Sequence, residues 1–160
     1  MISINIICCG KIKEAYWRDA IDEYSKRLQK FAKLNIIEIQ DEKVPDKLSD
    51  TLIDSIKNIE AEKMIQKLPK DTYIIALDPK GVQYSSEDFA QKLSNYSING
   101  ISNISFIIGG TLGIGEKMMK LVNEKISFSK MTFPHQLMRV IFLEQLYRAF
   151  KINNNETYHH

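Results

Sequence analysis

The chain has 160 residues, of which 44% are hydrophobic and 26% are charged, and its formal net charge is +2. This size and balance are typical of a single soluble domain, expected here over residues 1–160, and they exclude a disordered or linker-rich chain. No apolar run reaches the roughly 18–20 residues of a membrane helix and no signal peptide is recognisable, so we expect a cytoplasmic protein with no membrane partner.

Strand-like and helix-like segments alternate along the chain. Short runs rich in β-branched residues predict strands at residues 2–8, 34–39, 72–77, 104–108 and 125–128. Apolar residues three and four positions apart predict helices at residues 16–31, 85–96, 116–122 and 134–152. A further helix is predicted to begin at Ser49 or Asp50, and its apolar positions include Leu52, Ile56 and Ile59. This alternation predicts an α/β fold with a mostly parallel sheet and helices on both faces.

The only two cysteines, Cys8 and Cys9, are adjacent in the first predicted strand. Adjacent cysteines are poorly placed to form a disulfide, and their apolar surroundings predict buried, reduced thiols. Reduced thiols agree with the expected cytoplasmic location.

Three loops follow predicted strands and define the candidate site. They cover residues 77–81, where Asp78-Pro79-Lys80-Gly81 predicts a turn, residues 109–115, and residues 128–134. Ligands of parallel sheets bind beyond the carboxyl ends of the strands. We therefore expect the chemistry of this protein at these loops.

The glycine-rich loop, Gly109 to Gly115, does not match the standard phosphate-binding patterns. Glu116 stands where a phosphate loop has its lysine, and the dinucleotide fingerprint would need a glycine at Met118. These mismatches disfavour a nucleotide-dependent oxidoreductase or phosphotransferase. Four glycines in seven residues still indicate tight turns and close backbone approach, either to a ligand or within a purely structural turn.

Positive charge is concentrated towards the two ends of the sequence. Residues 11–33 carry seven basic and four acidic side chains, residues 38–63 carry eight acids and four lysines, and residues 130–151 carry four basic residues opposed only by Glu144. If the two basic stretches meet in space, they form a face that can contact phosphate. The alternative is that they are ordinary solvated helix faces.

The last predicted helix has an unusually large apolar perimeter. Its polar residues Glu144, Gln145, Arg148 and Lys151 fall within one narrow arc at 100° per residue. A helix that faces only its own core seldom needs so much apolar surface. The surplus predicts burial against a second copy of the chain, with burial inside the domain as the alternative.

The C-terminal third carries a family resemblance. The segments Phe106-Ile-Ile-Gly-Gly110, Ser127-Phe-Ser-Lys-Met-Thr-Phe-Pro-His135, Glu144-Gln-Leu-Tyr-Arg148 and Tyr158-His159 resemble the SPOUT (α/β-knot) RNA methyltransferases. More narrowly, they resemble the small family that methylates N3 of a pseudouridine in 23S rRNA. The resemblance covers essentially the whole chain, including Gly10-Lys11 and Tyr16-Trp17.

The resemblance implies a C-terminal trefoil knot, a homodimer, and S-adenosylmethionine as methyl donor, with no metal. It implies 23S rRNA in the large subunit or the assembled ribosome as substrate. A non-catalytic knotted module that binds RNA or the ribosome remains the alternative. The residues implied to bind the cofactor are Leu77, Gly109, Gly110, Phe128, Ser129, Lys130, Met131, Thr132 and Phe133.

For three of these residues an ordinary structural role is also open. Ser129 and Thr132 are alternatively caps of the last helix, and Lys130 is alternatively a solvated loop residue. His135 follows Pro134 at the start of that helix and, without the resemblance, indicates no chemistry.

The resemblance further implies that the C-terminal tail of one subunit completes the active site of the other. Arg148 is expected to stabilise the anion that develops on the base. His159 is expected to take the imide proton or to position the base, and Tyr158 to stack on the base or hydrogen-bond to it. A frayed tail without function is the alternative for these last residues.

Overall fold

The computed structural model describes all 160 residues, from Met1 to His160. Five strands and five helices alternate strictly along the chain, as the sequence predicts. They are β1 (Ile2–Cys9), α1 (Ala15–Leu28), β2 (Ala32–Ile39), α2 (Asp50–Lys67), β3 (Tyr73–Gln83), α3 (Ser86–Ile98), β4 (Asn103–Ile108), α4 (Glu116–Met119), β5 (Glu124–Ser127) and α5 (His135–Asn153). None of the helices is both long enough and apolar enough to span a bilayer.

The strands form one fully parallel sheet in the order β2-β1-β4-β3-β5. Helices α1, α3 and α5 cover one face and build the larger hydrophobic cluster, which contains Phe106 and Phe142. Helices α2 and α4 cover the other face and build a smaller cluster around Ile7 and Met64. The predicted α/β fold with helices on both faces is confirmed.

Both cysteines are free and buried in β1, as predicted. Removal from water raises the pKa of the Cys8 thiol to about 11 and that of the Cys9 thiol to about 12. Both side chains therefore stay protonated at neutral pH and act as small apolar residues of the core.

A row of polar side chains crosses the sheet near the amino ends of the strands. The Asn5 amide on β1 donates to Asn103 Oδ1 at 2.8 Å and accepts from the Asn35 amide of β2 at 3.0 Å. Farther along, the hydroxyls of Ser105 and Thr72 lie 2.7 Å apart. Asn5 and Ser105 are buried, and these hydrogen bonds satisfy their polar atoms.

The turn predicted at residues 78–81 is wrong, because this segment is a bulge inside a longer β3. Leu77 and Val82 are both paired with Ile126 of β5, so the four residues between them leave the register. The Asp78 carboxylate accepts from the Lys80 N–H at 3.0 Å, which is the local turn chemistry that the sequence displayed. Pairing with β5 resumes afterwards and extends the strand to Gln83.

Two predicted helix faces also differ from the structure. Helix α1 ends at Leu28, so Phe31 lies outside it and stacks on Phe150 with ring centroids 5.5 Å apart. In α2, Ser49 caps the first turn as predicted, but Leu52 and Ile59 are exposed. Glu60 is buried on the inner face instead, because its carboxylate accepts the Glu42 N–H of the preceding loop.

Helix α5 begins near β2, which forms one edge of the sheet. The buried guanidinium of Arg139 lies 2.7 Å from Glu38 Oε2 of β2 and donates to the Gly10 carbonyl at 3.2 Å. Strand β5, in contrast, forms the opposite edge beside β3. Residues 128–134 therefore cross the carboxyl edge of the sheet, which places them over the ends of β3 and β4.

Candidate cofactor cavity and C-terminal cluster

A cavity of about 750 Å³ lies at the carboxyl edge of the sheet. Its wall is formed by the bulge within β3, by the loops that follow β4 and β5, and by the start of α5. This volume falls within the ~300–1,000 Å³ of typical small-molecule sites. The lining residues are Lys57, Leu77–Lys80, Ile108–Ile114, Met119, Phe128, Ser129, Met131–Gln136 and Met138.

Most of the predicted cofactor residues are brought together in this wall. Leu77, Gly109, Gly110, Phe128, Ser129, Met131, Thr132 and Phe133 all line the cavity. Lys130 does not line it, and its side chain is exposed to solvent. The placement of Lys130 therefore agrees with the alternative of a solvated loop residue.

The glycine-rich loop folds back on itself above β4. A Cβ atom at Gly109 would lie 2.7 Å from the carbonyl carbon of Gly113, so only glycine fits there. Gly113 has φ +94° and donates its N–H to the Gly110 carbonyl at 3.0 Å. At Gly109, Gly110 and Gly113 the cavity wall therefore carries no side chain, so a ligand can approach the backbone amides and carbonyls there.

Hydroxyl groups organise the loop after β5. Ser127 Oγ donates to the Ser129 carbonyl at 3.0 Å, and Ser129 Oγ accepts the Met131 N–H at 2.9 Å. Neither Ser129 nor Thr132 caps α5, since the N-cap position is Pro134 and no side chain caps it. The capping alternative is therefore wrong.

Phe128 forms a rigid part of the cavity wall. Its ring stacks on Phe142 of α5 with centroids 5.8 Å apart and meets the edge of Phe89 of α3 at the same distance. Because Phe142 is fully buried, the position of Phe128 is fixed by the main hydrophobic core.

Sequence reasoning missed several residues of the wall. Lys57 comes from α2, and no loop motif indicated that this helix reaches the cavity. His135 lines the cavity, and its Nδ1 atom is buried without a hydrogen-bond partner. Burial and the nearby Arg139 guanidinium lower the pKa of His135 below its ordinary value, so the ring is neutral at physiological pH.

The three predicted catalytic residues form a separate cluster, in which Tyr158 and His159 of the tail meet Arg148 of α5. The Arg148 guanidinium donates to Glu144 Oε1 at 2.7 Å and lies 3.1 Å from His159 Nδ1. The Tyr158 hydroxyl also donates to Glu144 Oε1, at 3.2 Å, and the guanidinium carbon lies 4.8 Å from the Tyr158 ring centre. The tail is thus folded against α5 rather than frayed.

Helix α3 supplies a further contact to this cluster. His159 Nε2 lies 2.6 Å from Glu87 Oε1, and this hydrogen bond lowers the pKa of the Glu87 carboxyl. Partial burial and the neighbouring Glu144 raise the pKa of Tyr158, so its hydroxyl stays protonated at neutral pH.

Within one chain the cavity and the C-terminal cluster are well separated. None of Arg148, Tyr158 and His159 lines the cavity. Met138 is the last cavity residue on α5, and Arg148 lies ten positions further along the helix, which corresponds to about 15 Å along the axis. The predicted cofactor residues and the predicted catalytic residues therefore do not meet in a single subunit.

The two basic stretches of the sequence do meet. Helices α1 and α5 pack together, and Arg27 of α1 and Lys151 of α5 both lie over the ring of Tyr147, with the Arg27 guanidinium carbon 5.6 Å and the Lys151 Nζ 5.8 Å from its centre. Both cations also have an acidic partner, because Arg27 pairs with Glu23 and Lys151 pairs with Glu156, which agrees with the alternative of ordinary solvated helix faces. This surface lies next to Arg148 and Tyr158, because Tyr147 also contacts the Tyr158 ring.

Comparison with known proteins decides the family. The sequence model of a family described as "Predicted SPOUT methyltransferase" matches residues 2–159 of the chain. The chain belongs to the SPOUT methyltransferase family. This confirms the resemblance found in the C-terminal motifs and the expectation that the protein is a methyltransferase.

Curated relatives of this SPOUT methyltransferase match over their full length. A protein of Bifidobacterium animalis subsp. lactis is 51% identical over 158 residues, and one of Clostridium novyi is 52% identical over 160 residues. Each match covers 99% of both chains, and each relative is named ribosomal RNA large subunit methyltransferase H.

A solved structure shares the fold of this SPOUT methyltransferase. It is described as a probable methylase family protein from Haemophilus influenzae Rd KW20 and aligns with a TM-score of 0.55. The match covers 100% of the present chain and 72% of the other, at 10% sequence identity. At this identity the likeness concerns the fold alone.

Proposed function

We propose that this SPOUT methyltransferase transfers a methyl group from S-adenosylmethionine to N3 of a pseudouridine in the 23S rRNA of the assembled ribosome. The single observation that carries the proposal is the full-length identity of about half to proteins named ribosomal RNA large subunit methyltransferase H. The choice of pseudouridine N3 rests on the motif resemblance. In this proposal the 160 residues act as one domain in the cytoplasm.

The cavity at the carboxyl edge fits S-adenosylmethionine. Its wall combines apolar side chains, such as Leu77 and Phe128, with the bare backbone of the loop at Gly109. Such a mixture suits an adenosine that is recognised by apolar contact and by backbone hydrogen bonds. When bound, the cofactor supplies an electrophilic methyl group on its sulfonium.

We further propose that the active protein is a homodimer whose C-terminal third forms a trefoil knot. The crossing of residues 128–134 over the carboxyl edge supports such threading. Two observations support a composite site, namely the separation of about 15 Å between cavity and cluster along α5 and the apolar residues of that helix that are only partly buried. These residues are Leu137, Val140, Ile141 and Tyr147.

In the proposed mechanism, the tail of one subunit acts on a base held at the cavity of the other. Arg148 remains charged at every relevant pH and stabilises the negative charge that develops on the base oxygens as N3 loses its proton. His159 accepts that proton or positions the base, and the Tyr158 ring stacks on it. The face that contains Arg27 and Lys151 contacts the RNA phosphates.

The test is methyl transfer from radiolabelled S-adenosylmethionine to ribosomes from cells that lack this protein. We expect incorporation into 23S rRNA, and mass spectrometry should place the label on one pseudouridine. Isolated 23S rRNA and separate subunits serve as comparison substrates. Binding to ribosomes without methyl transfer would instead favour the non-catalytic module, and transfer to another atom or RNA would overturn the assigned substrate.

A further inference from the structure

Lys57 is a half-buried cation of the cavity wall without an anionic partner. It lies in α2, whose backbone meets the glycine-rich loop so closely that a Cβ atom at Gly115 would clash with the Lys57 carbonyl oxygen. Neighbouring lysines are neutralised, because Lys63 pairs with Glu42 and Lys117 pairs with Glu62. Lys57 forms no such salt bridge, although it is less exposed than Lys117.

The other charged groups of the cavity make Lys57 distinctive. Asp78 is the single acidic residue of the wall, and it cannot attract an anion. Lys80 is exposed to solvent, and His135 is held neutral by burial. Lys57 is thus the one partly buried lysine of the wall, and it has no acidic partner that would compete with a negatively charged ligand group.

An amino acid carboxylate is the anionic group of the methyl donor. We propose that Lys57 binds the carboxylate of the methionine moiety of S-adenosylmethionine and thereby distinguishes this donor from analogues that lack the carboxylate. The inference rests on the proposed function, since it deepens the description of the same cofactor site. An ammonium on a flexible four-carbon stem can follow the carboxylate within the cavity. A charge-assisted hydrogen bond in a partly desolvated site is stronger than a neutral one.

The test compares two donors that differ only in the carboxylate. Calorimetry measures the affinity of S-adenosylmethionine and of decarboxylated S-adenosylmethionine for the wild-type protein and for Lys57→Met. We expect the variant to lose about tenfold or more in affinity for the complete donor and to bind the decarboxylated donor as the wild type does. The preference of the wild type for the complete donor should disappear.

Two further variants make the comparison specific. Lys67→Met removes an exposed positive charge from the last turn of the same helix, away from the cavity, and should change neither affinity. Lys57→Arg keeps the charge and should retain most of the preference, which covers the case in which Lys57→Met folds poorly.

Several results would overturn the inference. Equal losses for both donors, or unchanged affinity for the complete donor, would show that Lys57 does not contact the carboxylate. A loss of ribosome binding with unchanged donor affinity would assign Lys57 to RNA phosphate instead. If the wild type bound neither donor, the proposed function itself would fail, which is a distinct outcome.

Discussion

Because Gly109 has no Cβ atom, the glycine-rich loop can fold back on itself at the candidate cofactor cavity. In Gly109→Ala the new methyl group would press on backbone atoms of Gly113 and Ile114 at 2.7–2.9 Å, and backbone cannot yield as a side chain can. We expect the affinity for S-adenosylmethionine, measured by calorimetry, to fall about tenfold or more, which is about 1.4 kcal/mol.

Gly110→Ala in the same loop is the matched control for that substitution. Its nearest contact would be the end of the Glu60 side chain at 3.1 Å, which can move. We therefore expect a smaller loss of affinity. Equal affinities of the two variants would contradict the role assigned to the Gly109 backbone.

His135 gives the protein a pH-dependent stability of predictable sign. Its pKa is lowered in the folded state, so below the ordinary histidine pKa of about 6.5 the unfolded chain binds more protons than the folded one. The free energy of unfolding should therefore decrease as pH falls from 7 to 5, and chemical denaturation at both pH values measures it.

In His135→Asn this decrease should be smaller, because the titrating group is gone. Glu124 also has a lowered pKa, owing to its hydrogen bonds to Lys92 and two tyrosines, but as a carboxyl it affects stability only at more acidic pH. An identical decrease in the wild type and in His135→Asn would refute the assignment.

Individual site residues were predictable to different degrees. The loop residues Gly109 and Phe128 were found because they follow strands and belong to recognisable motifs. Lys57 was not, because a lysine on a helix surface carries no signal until the packing of that helix is known. Glu60 shows the same limit, since its burial depends on a hydrogen bond to a loop 18 positions away.

At the level of elements, Phe142 joins the core to the cavity. Its ring is fully buried and packs against Phe106 at 4.5 Å and against Phe128 at 5.8 Å. Phe142→Ala should lower the free energy of unfolding by about 3–5 kcal/mol and should also weaken cofactor binding, because Phe128 loses its support. Chemical denaturation and calorimetry measure the two effects.

Phe31→Ala is the matching aromatic deletion outside the cavity. Phe31 is only partly buried and stacks on Phe150, and neither residue lines the cavity. Phe31→Ala should lower the free energy of unfolding less than Phe142→Ala does, and it should leave the affinity for the cofactor unchanged. Loss of affinity in this control would indicate a general effect of destabilisation rather than support of Phe128.

The order and type of the elements followed from periodicity, but their ends and faces did not always follow. The segment Asp78 to Gly81 has genuine turn chemistry, and only pairing of Val82 with Ile126 of β5 makes it a bulge within β3. Such pairing joins residues far apart in sequence, so a local pattern cannot reveal it.

At the scale of the whole molecule, the proposed site shared between two subunits predicts complementation between two inactive variants. Arg148→Ala lacks the tail function, and Gly109→Arg blocks the cavity. In random mixed dimers about half of the molecules are heterodimers, each with one intact site, so about a quarter of wild-type activity should return. Methyl transfer to ribosomes measures it after the variants are mixed and refolded together.

Unmixed samples of each variant are the controls and should remain inactive. Mass spectrometry of the intact complex verifies that heterodimers have formed. Heterodimers without recovered activity would refute a site shared between subunits.

The arrangement of the whole molecule was the least predictable part. Periodicity indicated a parallel sheet, but the strand order β2-β1-β4-β3-β5 depends on which strands pair across long stretches of chain. The passage of residues 128–134 across the sheet edge brings Arg139 to Glu38, a contact over 101 positions that no local pattern indicates. The sequence left open whether the two basic stretches meet, and the packing of α1 on α5 brings Arg27 and Lys151 to the same tyrosine ring.

The amide and hydroxyl groups of Asn5, Asn35 and Ser105 help to fix the register in which the strands pair. If β1 slipped by one position, its apolar and amide side chains would exchange faces. Each amide stranded without a partner in the interior would cost about 1–3 kcal/mol. The native register is therefore favoured over registers shifted by one residue through the polarity of the side chains as well as their shape. A chain that collapses in a shifted register is less stable, and this difference in free energy favours its rearrangement.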